Sequence, residues 1–174
     1  MSDPKSNAYD RAQRYAKSKG MTIEKLFGDG CDGYVLATSA GTAVKAFNFP
    51  QLFCRELEIY EYLKRWDITE VHGFHIPKLV ASNSDLSVIE MTVVSPPFVL
   101  DFVSARIEVP IEYDEEWIAR RMEEFEDDWP LVKQVIWGFE QHGIYLSDVH
   151  PRNIMVRAQA NRGMTPTARP PELD

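Results

Sequence analysis

The sequence predicts an α+β fold, on three observations. From Met21 to Val94, short β-rich runs bounded by turn residues are interrupted by one long helical stripe. From Glu112 onward the apolar spacing is helical. And 174 residues with 44% hydrophobic and 11% aromatic content can bury a real core. The expected organisation is an N-terminal helix (1–20), a five-stranded antiparallel sheet with one helix (21–94), and a hinge, a reduced helical region and a tail (95–174).

Residues 7–19 carry a helical pattern that Gly20 stops, and "MTIEKLF" reads as a strand leading into Gly28, Gly30 and Gly33 of "GDGCDG". "YVLAT" and "TAVKAF" are two further β-rich runs joined by Ser39-Ala40-Gly41, a flexible hairpin turn. The glycines therefore lie between strands. A dinucleotide fingerprint of the same GxGxxG spacing needs a helix directly after it, which sets that reading aside.

"QLFCRELEIYEYLKRW" places Leu52, Glu56, Ile59, Tyr60 and Leu63 on one helical face. Glu56 is a carboxylate inside an apolar stripe. It either snorkels from the edge to water or leaves the stripe to pair with a cation, and Lys45 on the preceding strand is the nearest candidate. "HIPKLVASNSD" and "LSVIEMTVV" read as two more strands around a polar Ser82–Asp85 turn, and the proline-punctuated "SPPFVLDF" reads as a linker.

Between Glu112 and Asp128 nine carboxylates face two arginines, interleaved with Trp117, Ile118, Met122, Phe125 and Trp129 at helical spacing. That is an amphipathic helix with a solvated face, or a surface for a basic partner. "WPLVKQVIWGFEQHG" puts Leu131, Val132, Val135, Ile136 and Phe139 on one stripe ended by Gly143. The segment "IYLSDVHPRNIMV" then presents Asp148, His150, Arg152 and Asn153 as a polar loop between apolar ends, with Pro151 disfavouring helix at His150. An Asp and an Asn five positions apart suit a base that accepts a hydroxyl proton and an oxygen ligand for a hard cation.

The formal net charge of −8 argues against binding duplex nucleic acid by phosphate neutralisation. No apolar run approaches a membrane span and the N-terminus has no signal-peptide core, so a cytoplasmic address is expected. Cys31 and Cys54 form neither a disulfide framework nor a metal pair, and read as reduced thiols.

Taken in order, these motifs resemble the ATP-binding half of the protein-kinase-like fold, in its divergent small-molecule and atypical kinase branch, whose catalytic loop runs D-x-H-P-x-N. Here that loop is Asp148-Val149-His150-Pro151-Arg152-Asn153. The glycine-rich loop is matched by Gly28, Gly30 and Gly33 with Val35, and the strand lysine by Ala43-Val44-Lys45. The resemblance covers about residues 21–156. It implies a kinase-like small lobe followed by a reduced helical large lobe carrying the catalytic loop. It further implies that the glycines cover phosphates, that Lys45 holds the α/β-phosphates and pairs with Glu56, that Asn153 ligates Mg²⁺, and that Asp148 is the catalytic base. Val35, Ala43 and Met155 would sandwich the adenine of ATP, and the backbone of Glu90 to Thr92 would supply its hydrogen bonds. Ser147, just before the catalytic Asp, leans against control through a phosphorylated activation loop.

The chain also departs from the family. No DFG motif follows Asn153, and the acids beyond it are Glu172 and the C-terminal Asp174, which is the candidate second metal ligand. The large-lobe helices that would hold a peptide substrate are missing. Two functions compete: an ATP- and Mg²⁺-dependent phosphotransferase of unknown acceptor, and a pseudokinase that binds nucleotide or a protein partner without turnover. A shortened helical region is expected to leave apolar surface at Trp117, Trp129, Trp137 or Phe139 for a partner or a second copy.

Overall fold

The computed structural model describes residues 7–157. Helix α1 (Ala8–Ser18) is capped by Asn7, whose side chain accepts from the Asp10 N–H at 2.9 Å. Strands β1 (Ile23–Asp29), β2 (Gly33–Thr38) and β3 (Thr42–Phe47) follow, and then helix α2 (Pro50–Arg65), which opens on a proline where no helical N–H is needed. Two short strands, β4 (Glu70–Val71) and β5 (Phe74–His75), precede β6 (Leu79–Asn83) and β7 (Val88–Thr92). The longer strands form one antiparallel sheet in the order β1-β2-β3-β7-β6.

Both faces of this sheet are covered, because side chains alternate along β3. Val44 and Ala46 join Leu36 and Val88 under Ala8, Ala12 and Tyr15 of α1. Ala43, Lys45 and Phe47 point the other way, where Ala43 and Phe47 share a core with Phe53, Ile59, Tyr60 and Leu63 of α2. The predicted stripe holds except that Leu52 stands half-buried at its margin and Phe53 takes the inner position. Arg11 ties α1 down by donating to the carbonyls of Phe47 and Leu86.

The segment expected as a linker is not one. Phe98 and Val99 form strand β8, which pairs antiparallel with β11 (Ile154–Met155) and parallel with β5, completing a small sheet of order β11-β8-β5-β4. Strands β9 (Arg106–Ile107) and β10 (Ile144–Tyr145) make a two-stranded ribbon. One hydrophobic core runs across the expected boundary at residues 94 and 95, joining Ile59 and Ile89 to Val99, Phe139, Ile144 and Ile154. Each fully buried side chain of this kind contributes roughly 1.5 to 3 kcal/mol.

Helix α3 (Glu115–Phe125) begins at Asp114, whose carboxylate accepts from the Trp117 N–H at 2.7 Å, and buries only Phe125. Its acidic residues accordingly face solvent. In α4 (Trp129–Gln141) the buried stripe is Trp129, Val132, Val135, Ile136 and Phe139, whereas Leu131 is exposed. Trp129 and Phe139 are thus covered within the chain, contrary to the expectation of an intermolecular cover, while Trp137 is exposed. Among the described residues no helix is long and apolar enough to cross a membrane.

Candidate functional site

The glycine stretch is a strand hairpin, β1 to β2, as its periodicity predicts. The Gly30 N–H donates to the Gly33 carbonyl at 3.0 Å, and Asn48 closes the loop from below, its side chain donating to the Cys31 carbonyl at 2.9 Å and its N–H to the Asp32 carbonyl at 2.8 Å. Gly33 is the position that must be glycine: its φ is +148°, and a Cβ there would lie 1.9 Å from the Ala46 carbonyl oxygen. Gly28 and Gly30 have open space where a Cβ would sit.

Behind this hairpin, β3 and α2 deliver Lys45 and Glu56. The Lys45 Nζ donates to Glu56 Oε2 at 2.6 Å, and the two side chains are only 7% and 1% exposed. Glu56 therefore leaves its stripe for a cation rather than for water. A third group comes from the expected linker: the Asp101 Oδ1 accepts from Lys45 Nζ at 3.2 Å. Burial alone would push the ammonium's pKa down, but Glu56 and then Asp101 outweigh it and the net direction is upward, so Lys45 is charged. Asp101 has φ +63°, a left-handed conformation that Asp tolerates better than most residues.

The second half of the site is the loop after β10. Asn153 is buried and donates its Nδ2 to both Asp148 Oδ2 (3.0 Å) and the Asp148 carbonyl (3.2 Å), which clasps the loop at its two ends. His150 Nδ1 accepts from the Arg152 N–H at 3.2 Å, and its Nε2 stands 3.6 Å from Asp148 Oδ2. The β8–β11 register brings this loop to Asp101. Val99 faces Ile154, and the Leu100 N–H donates to the Asn153 carbonyl at 2.7 Å, so Asp101 follows directly on the backbone contact that holds Asn153. Asp101, Ser147, Asp148 and Asn153 line one small pocket. Asp32, from the hairpin tip, reaches the same region: burial, then Asp101, push its carboxyl pKa up, with Lys45 opposing and Asp148 adding.

The expected nucleotide residues are only partly brought together. Ala43 lies on the Lys45 face of β3, and Val35 is cross-strand from Lys45, but neither they nor Met155 line the pocket of Asp101, Asp148 and Asn153. Glu90 sits mid-strand between β3 and β6, and its side chain turns to the opposite face, accepting from Tyr15 (2.8 Å) and Thr42 (2.8 Å). The Thr92 N–H donates to the Lys78 carbonyl at 3.0 Å. The backbone expected to bind adenine is thus largely occupied in the sheet, because these residues belong to the strand itself and not to the chain leaving it. Asp174 lies outside the described residues.

The donor set suits Mg²⁺ in kind. Asn153 Oδ1 and Asp101 Oδ2 accept no hydrogen bond from any described residue, and both residues line one pocket. Mg²⁺ uses one or two protein oxygens of this type and completes its shell with phosphate and water. Among the described residues no three His, Cys, Asp or Glu side chains form a cage for a metal by themselves. The one sequence signal for Asp101 is local: it follows a short apolar run, "FVL", as an acid at the end of a strand. Comparison with family models, curated proteins and solved structures finds no match for this chain.

Proposed function

We propose that the chain is a kinase-like phosphotransferase that uses ATP and Mg²⁺, and that Asp101 supplies the second acid expected of Asp174. The observation that carries this reading is the Lys45 ammonium held between Glu56 and Asp101, with Asp101 sharing a pocket with Asp148 and Asn153. In the kinase-like order this acid follows the catalytic loop; here it precedes it, and the β8–β11 pairing supports the same spatial neighbourhood through a different connection. Lys45 would hold phosphate oxygens and the hairpin would cover them. Asn153 Oδ1 and Asp101 would hold Mg²⁺, which supplies charge neutralisation when bound. Asp148, whose side chain is 45% exposed and oriented by Asn153, would take the proton of the acceptor hydroxyl.

The pseudokinase reading rests on a different observation. Asp101 and Asp148 line the pocket, and Asp32, whose carboxyl pKa burial pushes up, lies close enough for both to push it further, so negative charge gathers here and opposes a bare triphosphate. The two readings separate in one experiment on the intact chain. Thermal melting with ATP, Mg²⁺ and both together should show stabilisation by the pair, about 2.7 kcal/mol at 100 times Kd. Asp148→Asn should then keep that stabilisation and lose ADP formation. Stabilisation with no turnover in the parent chain selects the nucleotide-binding pseudokinase; no stabilisation by Mg²⁺ and ATP rejects the phosphotransferase and leaves only a pseudokinase that binds a protein partner.

A further inference from the structure

We infer that the cleft on the outer side of Asp148 takes a small hydroxyl compound bearing an anionic group, phosphate or carboxylate, and that Arg152 holds that group; this deepens the phosphotransferase reading and rests on Asp148 as its base. Asp148 stands between two cavities. The inner one contains Asp101 and Asn153, and the outer is an open cleft of about 630 Å³ walled by Arg121, Glu124, His150, Pro151 and Arg152. That size is within the range small ligands occupy.

The two arginines of the cleft differ in what remains free. Arg121 is fixed: its guanidinium donates to the Val149 carbonyl at 2.6 Å and to Glu124 Oε1 at 2.9 Å, and lies over the Trp117 ring at 5.5 Å. It neutralises Glu124. Arg152 is the reverse case. Its side chain is exposed and makes no ion pair or hydrogen bond to any described residue, while its backbone is held by Pro151 before it and by the N–H bond to His150. With Glu124 paired to Arg121, the charges left in the cleft are the Asp148 carboxylate of the base and the Arg152 guanidinium, which has no partner among the described residues. Its planar fork matches carboxylate or phosphate oxygens. An ammonium-bearing acceptor would meet that charge as repulsion, and a neutral polyol would leave it unpaired.

In the step itself the acceptor oxygen bonds to the γ-phosphorus of ATP and the bond from that phosphorus to the bridging oxygen breaks, releasing ADP. The hydroxyl proton passes to the Asp148 carboxylate and then to solvent.

The test is calorimetric binding to the full chain, without nucleotide, of four probes: glycerol 3-phosphate, glycerate, glycerol and choline. The two anions should bind at least about tenfold tighter than glycerol and choline, and their order tells phosphate from carboxylate. Arg152→Glu should weaken the anions at least about tenfold, with Arg152→Lys recovering part of the loss, and an unchanged melting temperature shows that the exposed substitution leaves the fold intact. Anions that fail to bind, glycerol or choline binding as tightly as they do, or a smaller effect of Arg152→Glu overturns the proposal. Because no nucleotide is present, a failure here is distinct from a failure of the chain to respond to Mg²⁺ and ATP.

Discussion

Removing one member of the Lys45–Glu56 pair should cost far more than removing both. The side chains are 7% and 1% exposed and 2.6 Å apart, so solvent screens them little. Taking away one partner of such a buried pair costs roughly 3 to 5 kcal/mol, because the other charge is left without compensation. Glu56→Gln should fall somewhat lower, at about 2 to 4 kcal/mol, because Asp101 remains 3.2 Å from Lys45. Lys45→Met has another escape. Burial already pushes the Glu56 carboxyl pKa up, with Asp101 adding and Lys45 opposing, so without the lysine the acid can take a proton. A carboxyl whose folded pKa is raised contributes stability that is present at low pH and lost as pH rises through that pKa. Lys45→Met should therefore cost little in acid and progressively more toward neutral pH. The double variant Lys45→Met with Glu56→Leu should lie within about 1 kcal/mol of the parent, because well-packed apolar side chains replace the ions. Urea unfolding across pH, with midpoints compared at constant slope, gives all three values. Single substitutions costing under about 1 kcal/mol at neutral pH, or a double variant as unstable there as the two singles summed, would refute the reasoning.

Gly33→Ala should lose more than about 2 kcal/mol in thermal or urea unfolding, since its Cβ collides with backbone at 1.9 Å, whereas Gly28→Ala, with open space at its Cβ, should be neutral or slightly stabilising. Equal effects at the two glycines would show that the hairpin tolerates a shift of β3. Asp32→Asn should raise the melting temperature at neutral pH and not in strong acid. The reason is its raised carboxyl pKa: the stability carried by the protonated Asp32 is present below its unfolded value and lost as pH rises through the folded one. A gain of equal size at both pH values would remove that cause. Asp101→Asn should abolish the extra thermal stabilisation that Mg²⁺ adds to ATP while retaining a folded chain, and an undiminished Mg²⁺ effect would place the cation elsewhere.

What the sequence determined by itself is what depends on near neighbours. The β1–β2 hairpin followed from glycines set between two alternating runs, and the Glu56 partner from a carboxylate in an apolar stripe next to a strand lysine. That Asp148 and Asn153 share one polar loop followed from a six-residue segment between buried ends, while the hydrogen bond that clasps them is a finding of the structure. Tertiary structure alone decided which distant segments meet. Phe98–Val99 is too short to signal a strand, and it becomes one only because Ile154–Met155, 55 residues later, supplies the hydrogen-bonding partner; that pairing turns a supposed linker into the support for Asp101. Alternation puts Glu90 and Lys45 on definite faces of the sheet, but only packing decides that α1 covers one face and turns Glu90 toward Tyr15. Trp129 displaced Leu131 from the buried stripe for a similar reason. A helix's periodicity names the residues that share a side, while the neighbour it packs against, here Phe125 and Trp117 around Trp129, decides how far that side extends.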